Sequence, residues 1–525
     1  MAKFFNTTGP CRVDKHYMLD PLLRLGDIRA LLEKELYFVV HAPRQTGKTT
    51  TLEALATAIT AEGKFTVLKF SCEMGRAYGS NIEKVEEVII ESILSASRQH
   101  LPLELQCPKA HNLPNVGRIK AFLCHWAEVS PRPLVLFFDE IDALIDESLI
   151  SVLHQLRDGF NDRPRAFPQS VVLCGMRNVR DYKVFSGGNP RLGTSSPFNI
   201  KSDSLRLANF TEVEVRELYE QHTDATGQQF EPEAKAKAWE LTEGQPWLVN
   251  ALANQVVSKM GIPATQTISA LDIEKAAQNL ILERQTHLDS LVDKLTEVRV
   301  QRVIEPVLAG LIAGADATYD DDVSYVRDLG IIATNPPTRI SNPIYREIIV
   351  RVLASRAADI IDFERKSFVT PDGLLNVNVI VQEFSLWWAE NAEFMLSSSY
   401  YNEAAAQLVF MAWLQRVVNG GGIIDREYGV GRGRIDVLVR WPSPNAMSSR
   451  AWQREAFELK VWAEGKPDPL PQGLKQLEAY LERLGLSEGT LVIFDRRKEA
   501  VQAATRTQIL AVQTPKGYAV LLLRA

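Results

Sequence analysis

Two groups of residues, far apart in the chain, are spaced for chemistry on phosphates. The first is Ala42-Pro43-Arg44-Gln45-Thr46-Gly47-Lys48-Thr49-Thr50. Backbone N–H groups of Gln45, Thr46, Gly47, Lys48, Thr49 and Thr50, backed by a helix N-terminus, would point at an anion. Lys48 would reach the β- and γ-phosphates of ATP, and the Thr49 hydroxyl would hold Mg2+. Alanine at position 42 replaces the usual first glycine, and its Cβ makes a left-handed φ less comfortable there. Asp139 and Glu140 close the apolar run Leu134-Val135-Leu136-Phe137-Phe138. Asp139 would hold Mg2+ through water and Glu140 would polarise the attacking water, the two pointing opposite ways from a strand. A Gly-Lys-Thr at a helix start, or two acids at a strand end, is weak alone. Together they predict nucleoside-triphosphate hydrolysis.

The second group is Asp436, Glu458 and Lys460. Glu458 and Lys460 are two apart in Glu455-Ala456-Phe457-Glu458-Leu459-Lys460-Val461-Trp462, so both project from one face of a strand. Asp436 begins an apolar run that can pair beside it as a hairpin. Two carboxylates and the Leu459 carbonyl make an oxygen-only set suited to Mg2+ or Mn2+. Lys460 would orient or deprotonate water, or steady developing charge, in phosphodiester cleavage. Ordinary alternation on a surface hairpin is the plain alternative. Gln476 and Tyr480 share one face of a following helix.

These residues need elements to hold them. Leu36–Val40 and residues 65–70 read as strands, Ile82–Ser97 as a helix, and residues 134–140 as a parallel strand buried on both faces, with ligands at its carboxyl end. Ser170-Val171-Val172-Leu173-Cys174-Gly175 is a further strand running into Arg177 and Asn178. Either of these senses the γ-phosphate, or the segment is a structural turn. Ser196–Ile200 is expected to close the sheet, with Arg191 a candidate for donation to a neighbouring subunit. Residues 203–285 are helical by pattern: Thr211 and Glu214 form a capping box, and Gly244-Gln245-Pro246 breaks one helix and starts another. Residues 296–355 alternate as helix, helix, strand, turn, strand, helix. Residues 1–30 wrap the nucleotide domain, with Phe4, Phe5, His16 and Tyr17 either packing or touching adenine. Residues 356–395 read as a linker with one amphipathic helix near Val381–Phe394.

Composition sets outer limits. The chain has 525 residues, 46% hydrophobic and 24% charged, too long for one core. With a net charge of −6, nucleic acid must be met by a local basic patch. Arg426, Arg432, Arg434 and Arg454 flank the second group and either serve so or are solvated. Five scattered cysteines without ligand spacing point to reduced thiols and a cytoplasmic protein. There is no signal-peptide pattern and no apolar run long enough for a bilayer.

The phosphate loop, the Asp139-Glu140 strand and the Gly244-Gln245-Pro246 turn together resemble the AAA+ and signal-transducing (STAND-like) branch of P-loop ATPases. The resemblance implies that Pro246 touches adenine or ribose; an ordinary first-turn proline is the alternative. Residues 296–355 resemble a winged-helix module. Asp320-Asp321-Asp322 would repel phosphates, which favours packing and relay of nucleotide state over DNA reading. Asp436…Glu458-Leu459-Lys460 resembles the PD-(D/E)xK nuclease pattern. Gln476-Leu477-Glu478-Ala479-Tyr480 looks like the Gln-x-x-x-Tyr motif of its RecB-like branch, and Glu403 corresponds to the upstream helical acid, an implied metal ligand. The whole chain resembles the bacterial and archaeal family that joins an AAA-ATPase-like domain to a C-terminal PD-(D/E)xK nuclease-like domain.

The implied architecture is α/β: N-terminal segment 1–30, P-loop AAA+-type ATPase core 31–202, helical lid 203–285, winged-helix module 286–355, linker 356–395 and PD-(D/E)xK nuclease-like domain 396–525. The implied function is an ATP-binding and hydrolysing protein that regulates a Mg2+- or Mn2+-dependent nuclease acting on DNA or RNA, in defence or DNA maintenance, and working as a homo-oligomer. The alternatives are a STAND-like sensor whose nuclease-like domain only binds nucleic acid or protein, and an oligomeric defence effector.

Overall fold

A computed structural model of the chain describes residues 3–26, 28–176, 201–283, 286–308, 320–358, 368–398, 405–418, 422–430, 433–443, 452–462, 465–495, 497 and 503–525. Arg177, Asn178, Arg191, residues 196–200, Glu403 and Arg432 lie outside the described residues. Two compact units form. One is Met1–Leu291 with Asp316–Asn335 and Ser341–Ile344; the other is Val292–Ala315, Pro336–Ile340 and Tyr345–Ala525.

The first unit is built on five parallel strands: β1 (Tyr37–His41), β2 (Thr66–Ser71), β3 (Leu134–Asp139), β4 (Ser170–Gly175) and β5 (Lys201–Arg206). Their order is β2-β3-β4-β1-β5. The helices α1 (Ile28–Glu33), α2 (Lys48–Ala61), α3 (Ile82–His100), α4 (Arg118–Val129) and α5 (Asp146–Asp158) cover it. Every residue of β1, β3 and β4 is buried, as their unbroken apolar runs require. Alternation divides each strand between two cores. Phe38 and Val40 pack with Leu52, Leu55 and Ile59 of α2. Tyr37 and Val39 face Ile89, Phe122, Trp126 and Val152 of α3, α4 and α5. Each such side chain contributes roughly 1.5–3 kcal/mol when fully buried.

Helices follow: α6 (Glu212–Thr226), α7 (Pro232–Thr242), α8 (Pro246–Asn254), α9 (Ala270–Glu283), α10 (Thr286–Lys294), α11 (Val298–Leu308), α12 (Asp321–Asp328) and α13 (Pro343–Ala358). The capping box at α6 is complete, Thr211 and Glu214 satisfying each other's backbone. Asp320 caps α12 through the N–H groups of Asp322 and Val323. The turn expected as a wing is closed by Ser341, whose N–H donates to Ile331 O at 2.9 Å and whose hydroxyl donates to Gly330 O at 2.7 Å. Phe5 and Tyr17 are buried among Tyr219 and His222 of α6, so these rings are packing.

The second unit holds α14 (Val377–Ser398), α15 (Ala405–Val418), β6 (Ile423–Val430), β7 (Gly433–Pro442), β8 (Trp452–Trp462), α16 (Leu470–Leu484), β9 (Glu488–Asp495), α17 (Ala503–Arg506), β10 (Gln508–Gln513) and β11 (Ala519–Arg524). The mixed sheet runs β10-β11-β9-β8-β7-β6. Its β8–β9 and β9–β11 pairs are parallel and the others antiparallel. Phe384 and Trp388 of α14 and Phe410 and Trp413 of α15 pack on Phe457 and Phe494 at one face. The amphipathic helix expected near Val381–Phe394 is α14, and its aromatic residues, recurring at helical spacing, face the sheet and belong to this core. Leu477 and Leu481 of α16 cover Leu438, Ala456 and Leu491 at the other face. Gly473 lets α16 approach: a Cβ there would stand 2.8 Å from Leu491 Cδ1.

Candidate active sites

The loop from β1 to α2 closes on itself. The Thr46 hydroxyl donates to Pro43 O at 2.9 Å. Lys48 Nζ donates to Ala42 O (2.7 Å) and Pro43 O (2.8 Å). Burial pushes the Lys48 ammonium down from its usual range, while Asp139, Asp142 and Glu140 pull it back up. Left-handed backbone falls at Gln45 (φ 56°) and Gly47 (φ 88°) rather than at Ala42. Ala42 N donates to Gly175 O at 3.2 Å, extending the β1–β4 ladder. Alanine is thus no obstacle at that position, because the chain there is still continuing the strand.

Asp139 ends β3, 2% exposed, and its Oδ2 accepts from the Thr49 hydroxyl at 3.0 Å. A hydroxyl beside a carboxylate is an oxygen-only donor pair of the kind Mg2+ takes, so Thr49 and Asp139 fit that ion. Glu140 is not placed by strand alternation as expected. It lies past the strand end in left-handed conformation, φ 56°. Ser71 Oγ donates to Glu140 Oε2 at 3.3 Å, and Glu140 N donates to Asp139 Oδ1 at 3.0 Å. Enclosure of its carboxyl, then the charges of Glu73 and Asp139, raise the Glu140 pKa. Asp142 accepts from Met176 N, tying the carboxyl end of β4 to the same edge.

Residues 208–210 and the N-terminal segment reach the loop through Arg24. Its Nη1 donates to Thr46 O at 2.6 Å, its Nη2 to Ala208 O, and its guanidinium lies 4.9 Å from the Phe210 ring centroid. Phe210 N in turn donates to Gly244 O at 2.8 Å. Gly244 has φ +70°, and a Cβ there would stand 1.8 Å from Phe210 O. Pro246 is buried at the first turn of α8, whose cap is the Gln245 side chain accepting from Leu248 N. Beside it, Gln245 Nε2 and Asn250 Oδ1 are buried without hydrogen-bond partners among the described residues. Cys11 N donates to Thr50 Oγ1 (3.0 Å) and Trp247 Nε1 to Thr7 O (2.9 Å), so residues 7–11 bridge α2 and α8.

The base of the loop meets α12. Gly330, φ +77°, faces Pro43, and a Cβ would stand 2.4 Å from Pro43 Cγ. His41 Nδ1 lies 3.5 Å from Asp328 Oδ1, and Arg206 Nη2 donates to Arg327 O at 3.0 Å.

In the second unit, β7 and β8 form the expected antiparallel pair, with Val437 opposite Phe457. Asp436, Glu458 and Lys460 are brought together. Asp436 Oδ2 accepts from Leu459 N at 2.8 Å, and Lys460 Nζ donates to Glu458 Oε1 at 2.6 Å. Glu458 is 1% exposed. Burial and the Asp436 charge push its carboxyl up to about 7, against the pull of Lys460. Among the described residues, Glu458 Oε2 and, on α16, Gln476 Oε1 are buried without hydrogen-bond partners. A buried carboxylate oxygen left over from an ion pair is what a divalent cation or its water shell would satisfy. Among the described residues no group of three or more His, Cys, Asp and Glu converges as a metal site. The Leu459 carbonyl, expected as a ligand, accepts from Gln407 Nε2 at 3.3 Å. Arg454 donates to Leu484 O.

Arg24, Lys69 and Gln407 escaped the sequence reading. Gln407 had a signal, lying four residues after Glu403 in the sequence. Arg24 and Lys69 had none, because each meets its partner only through the fold.

Fold and loop define a class: an α/β protein with a Gly-Lys-Thr loop at the carboxyl end of an inner strand of a parallel sheet. No protein-family model and no curated protein matches the chain. Among solved structures it is similar to the Walker-type ATPase of Pyrococcus abyssi (13% identity, TM-score 0.46, 66% of this chain and 99% of that one). It is also similar to the ORC2 protein of Aeropyrum pernix (15%, 0.35, 67% and 96%) and the Holliday junction branch migration motor RuvB of Thermotoga maritima (15%, 0.33, 62% and 92%). All three TM-scores are below 0.5. No helix among the described residues is long and apolar enough to cross a membrane.

Proposed function

We propose that the chain is an ATP-binding and hydrolysing protein of the AAA+ or STAND-like type, carrying a metal-dependent phosphodiester-cleaving centre in its second unit. The observation that carries the first half is the 3.0 Å bond from Thr49 to Asp139, which closes the phosphate loop onto the carboxylate strand. In this reading Lys48 leaves the carbonyls of Ala42 and Pro43 for the β- and γ-phosphates. Backbone N–H groups of residues 45–50 cradle the phosphates, and Glu140 orients the attacking water. Bound Mg2+ neutralises charge on the phosphates. Pro246 meets the base or ribose, and the buried atoms Gln245 Nε2 and Asn250 Oδ1, without partners among the described residues, support a polar ligand edge there. Asn178 is the proposed γ-phosphate sensor.

The second half is supported by Asp436, Glu458 and Lys460 sharing the face that α16 covers. Asp436 and Glu458, with Glu403 as a third proposed ligand, would hold Mg2+ or Mn2+, and Gln476 would orient from α16. When bound, the ion supplies stabilisation of the attacking and leaving oxygens. Lys460 then orients the water. The substrate is proposed to be DNA or RNA, the working form a homo-oligomer and the compartment the cytoplasm. A second reading, a sensor whose second unit only binds nucleic acid or protein, is favoured by one feature: both carboxylates already have partners within the protein, Leu459 N and Lys460.

The test is a cleavage screen on single- and double-stranded DNA and RNA with Mg2+ or Mn2+, under ATP, ADP and a non-hydrolysable analogue. Lys48→Ala should abolish nucleotide binding. Asp436→Asn should abolish cleavage and leave ATP hydrolysis intact. Wild-type protein that cuts nothing in any condition defeats the nuclease half and leaves the sensor reading.

A further inference from the structure

We infer that Lys69 is a positioning residue for the metal-binding carboxylate: a resident cation that holds Asp139 while no metal–nucleotide is bound and then passes to Glu53. This rests on reading the first unit as a Mg2+-dependent nucleotide site.

Lys69 is the one charged residue of β2, Thr66-Val67-Leu68-Lys69-Phe70-Ser71. It stands opposite Phe137 of β3, two residues before Asp139. Val67 packs in the α2-facing core, and Lys69, two residues on, shares that face. From there its ammonium lies 3.3 Å from Asp139 Oδ2 and 3.3 Å from Glu53 Oε1. The Lys69 side chain is 15% exposed, that of Asp139 3% and that of Glu53 41%. A lysine this enclosed is retained only where it is paired.

The two acids differ in a useful way. Asp139 Oδ2 already accepts from Thr49, the other proposed metal donor, so lysine and metal ion compete for one oxygen. Glu53 lies one helical turn after Thr49 on α2, half in solvent, where a displaced ammonium is easily received. Among the described residues the other charged groups facing Asp139 are Lys48 and Glu140, and neither can take this role. Lys48 is held by the loop carbonyls of Ala42 and Pro43 until it moves to the phosphates, and Glu140 is itself an acid, its carboxyl held by Ser71. With Lys69 in place, the buried carboxylate is neutralised when the site is empty, and metal alone is a poor ligand. Metal arriving with a triphosphate supplies enough attraction to displace the amine. The arrangement enforces joint arrival of metal and nucleotide.

The two partners of the lysine predict opposite shifts. In Lys69→Met the competitor is gone, so the Mg2+ concentration needed for half-maximal binding of a fluorescent ATP analogue should fall about five- to tenfold, at the lower end of site–site couplings. In Glu53→Gln the displaced ammonium loses its receiver, and that concentration should rise, by about two- to fivefold because the pair is partly solvated. Lys69→Arg should stay near wild type. Full-length protein is titrated with Mg2+ at fixed pH. Glu53, being half-exposed, gives a folded variant even if Lys69→Met is unstable. Shifts of the same sign, or none, overturn the inference. Wild-type protein that binds no nucleotide, or binds it no better than Lys48→Ala, instead defeats the underlying reading, and the inference with it.

Discussion

Replacing Gly244 by alanine separates two physical costs that usually arrive together. The left-handed φ of +70° costs an alanine roughly 1–2 kcal/mol. The second cost is steric, because the added Cβ would lie 1.8 Å from Phe210 O, far inside contact distance. Both sides of this contact are backbone, so no side chain can swing away. The turn must open and the 2.8 Å bond from Phe210 N to Gly244 O must break, leaving a buried N–H unpaired at about 1–3 kcal/mol. The sum is about 2–5 kcal/mol. Gly227, at the end of α6, is the matched control: its φ is +79° and nothing lies within 4 Å of its added Cβ. Gly227→Ala should therefore cost only the conformational part, about 1 kcal/mol. Urea unfolding followed by tryptophan fluorescence should show a much larger loss for Gly244→Ala. Its binding of a fluorescent ATP analogue should weaken at least tenfold, since the turn carries Pro246. Equal losses for the two variants would refute the steric argument. A full loss of stability with unchanged nucleotide affinity would refute the placement of Pro246 at the nucleotide.

Arg24→Ala removes two carbonyl partners and the contact with Phe210, and should cost about 2–3 kcal/mol and lower nucleotide affinity severalfold. Arg24→Lys should recover little, because an ammonium lacks the planar fork that spans both carbonyls; full recovery in a binding titration would contradict this. Burial against Trp247, 4.7 Å away, and the charge of Arg44 hold the His287 imidazole down at about 4 instead of 6.5. The unfolded chain therefore takes up a proton first as pH falls. The His287 contribution is complete above pH 6.5 and is lost toward pH 4, up to about 3 kcal/mol. His287→Phe should flatten the fall in urea midpoint across that window, and parallel curves for variant and wild type would refute the assignment. Mn2+ should raise the unfolding temperature of wild-type protein and raise it less in Asp436→Asn; an equal rise in both would exclude Asp436 as a ligand.

The first unit was legible where one local pattern dictated one element. Leu36–Val40 and Leu134–Phe138 are unbroken apolar runs, and the strands Tyr37–His41 and Leu134–Asp139 lie within a residue of them. The Thr211–Glu214 box is local chemistry and formed as read. Lys460 beside Glu458 follows from period-two alternation alone. Glu140 was misjudged because a strand pattern says nothing of where the strand stops; one residue past the end, backbone turn geometry replaces alternation. The amphipathic helix expected near Val381–Phe394 formed as Val377–Ser398, but what its aromatic residues pack on was not legible, because Phe384, Trp387 and Trp388 are long-range partners of a sheet the chain had not yet entered. Arg24 and Lys69 illustrate the deeper limit. Their partners are backbone carbonyls and carboxylates tens of residues away, and no spacing rule encodes such encounters.

The segment 316–335 belongs with the first unit, although the chain on either side of it, through 315 and from 336, belongs with the second. Gly330 on this excursion is what stands behind Pro43. A fragment ending at residue 291 would thus lack the back wall of its own phosphate loop, exposing one side of Pro43 to water and stranding His41 without Asp328. The polypeptide passes between the two units more than once, so one cut cannot yield two intact halves.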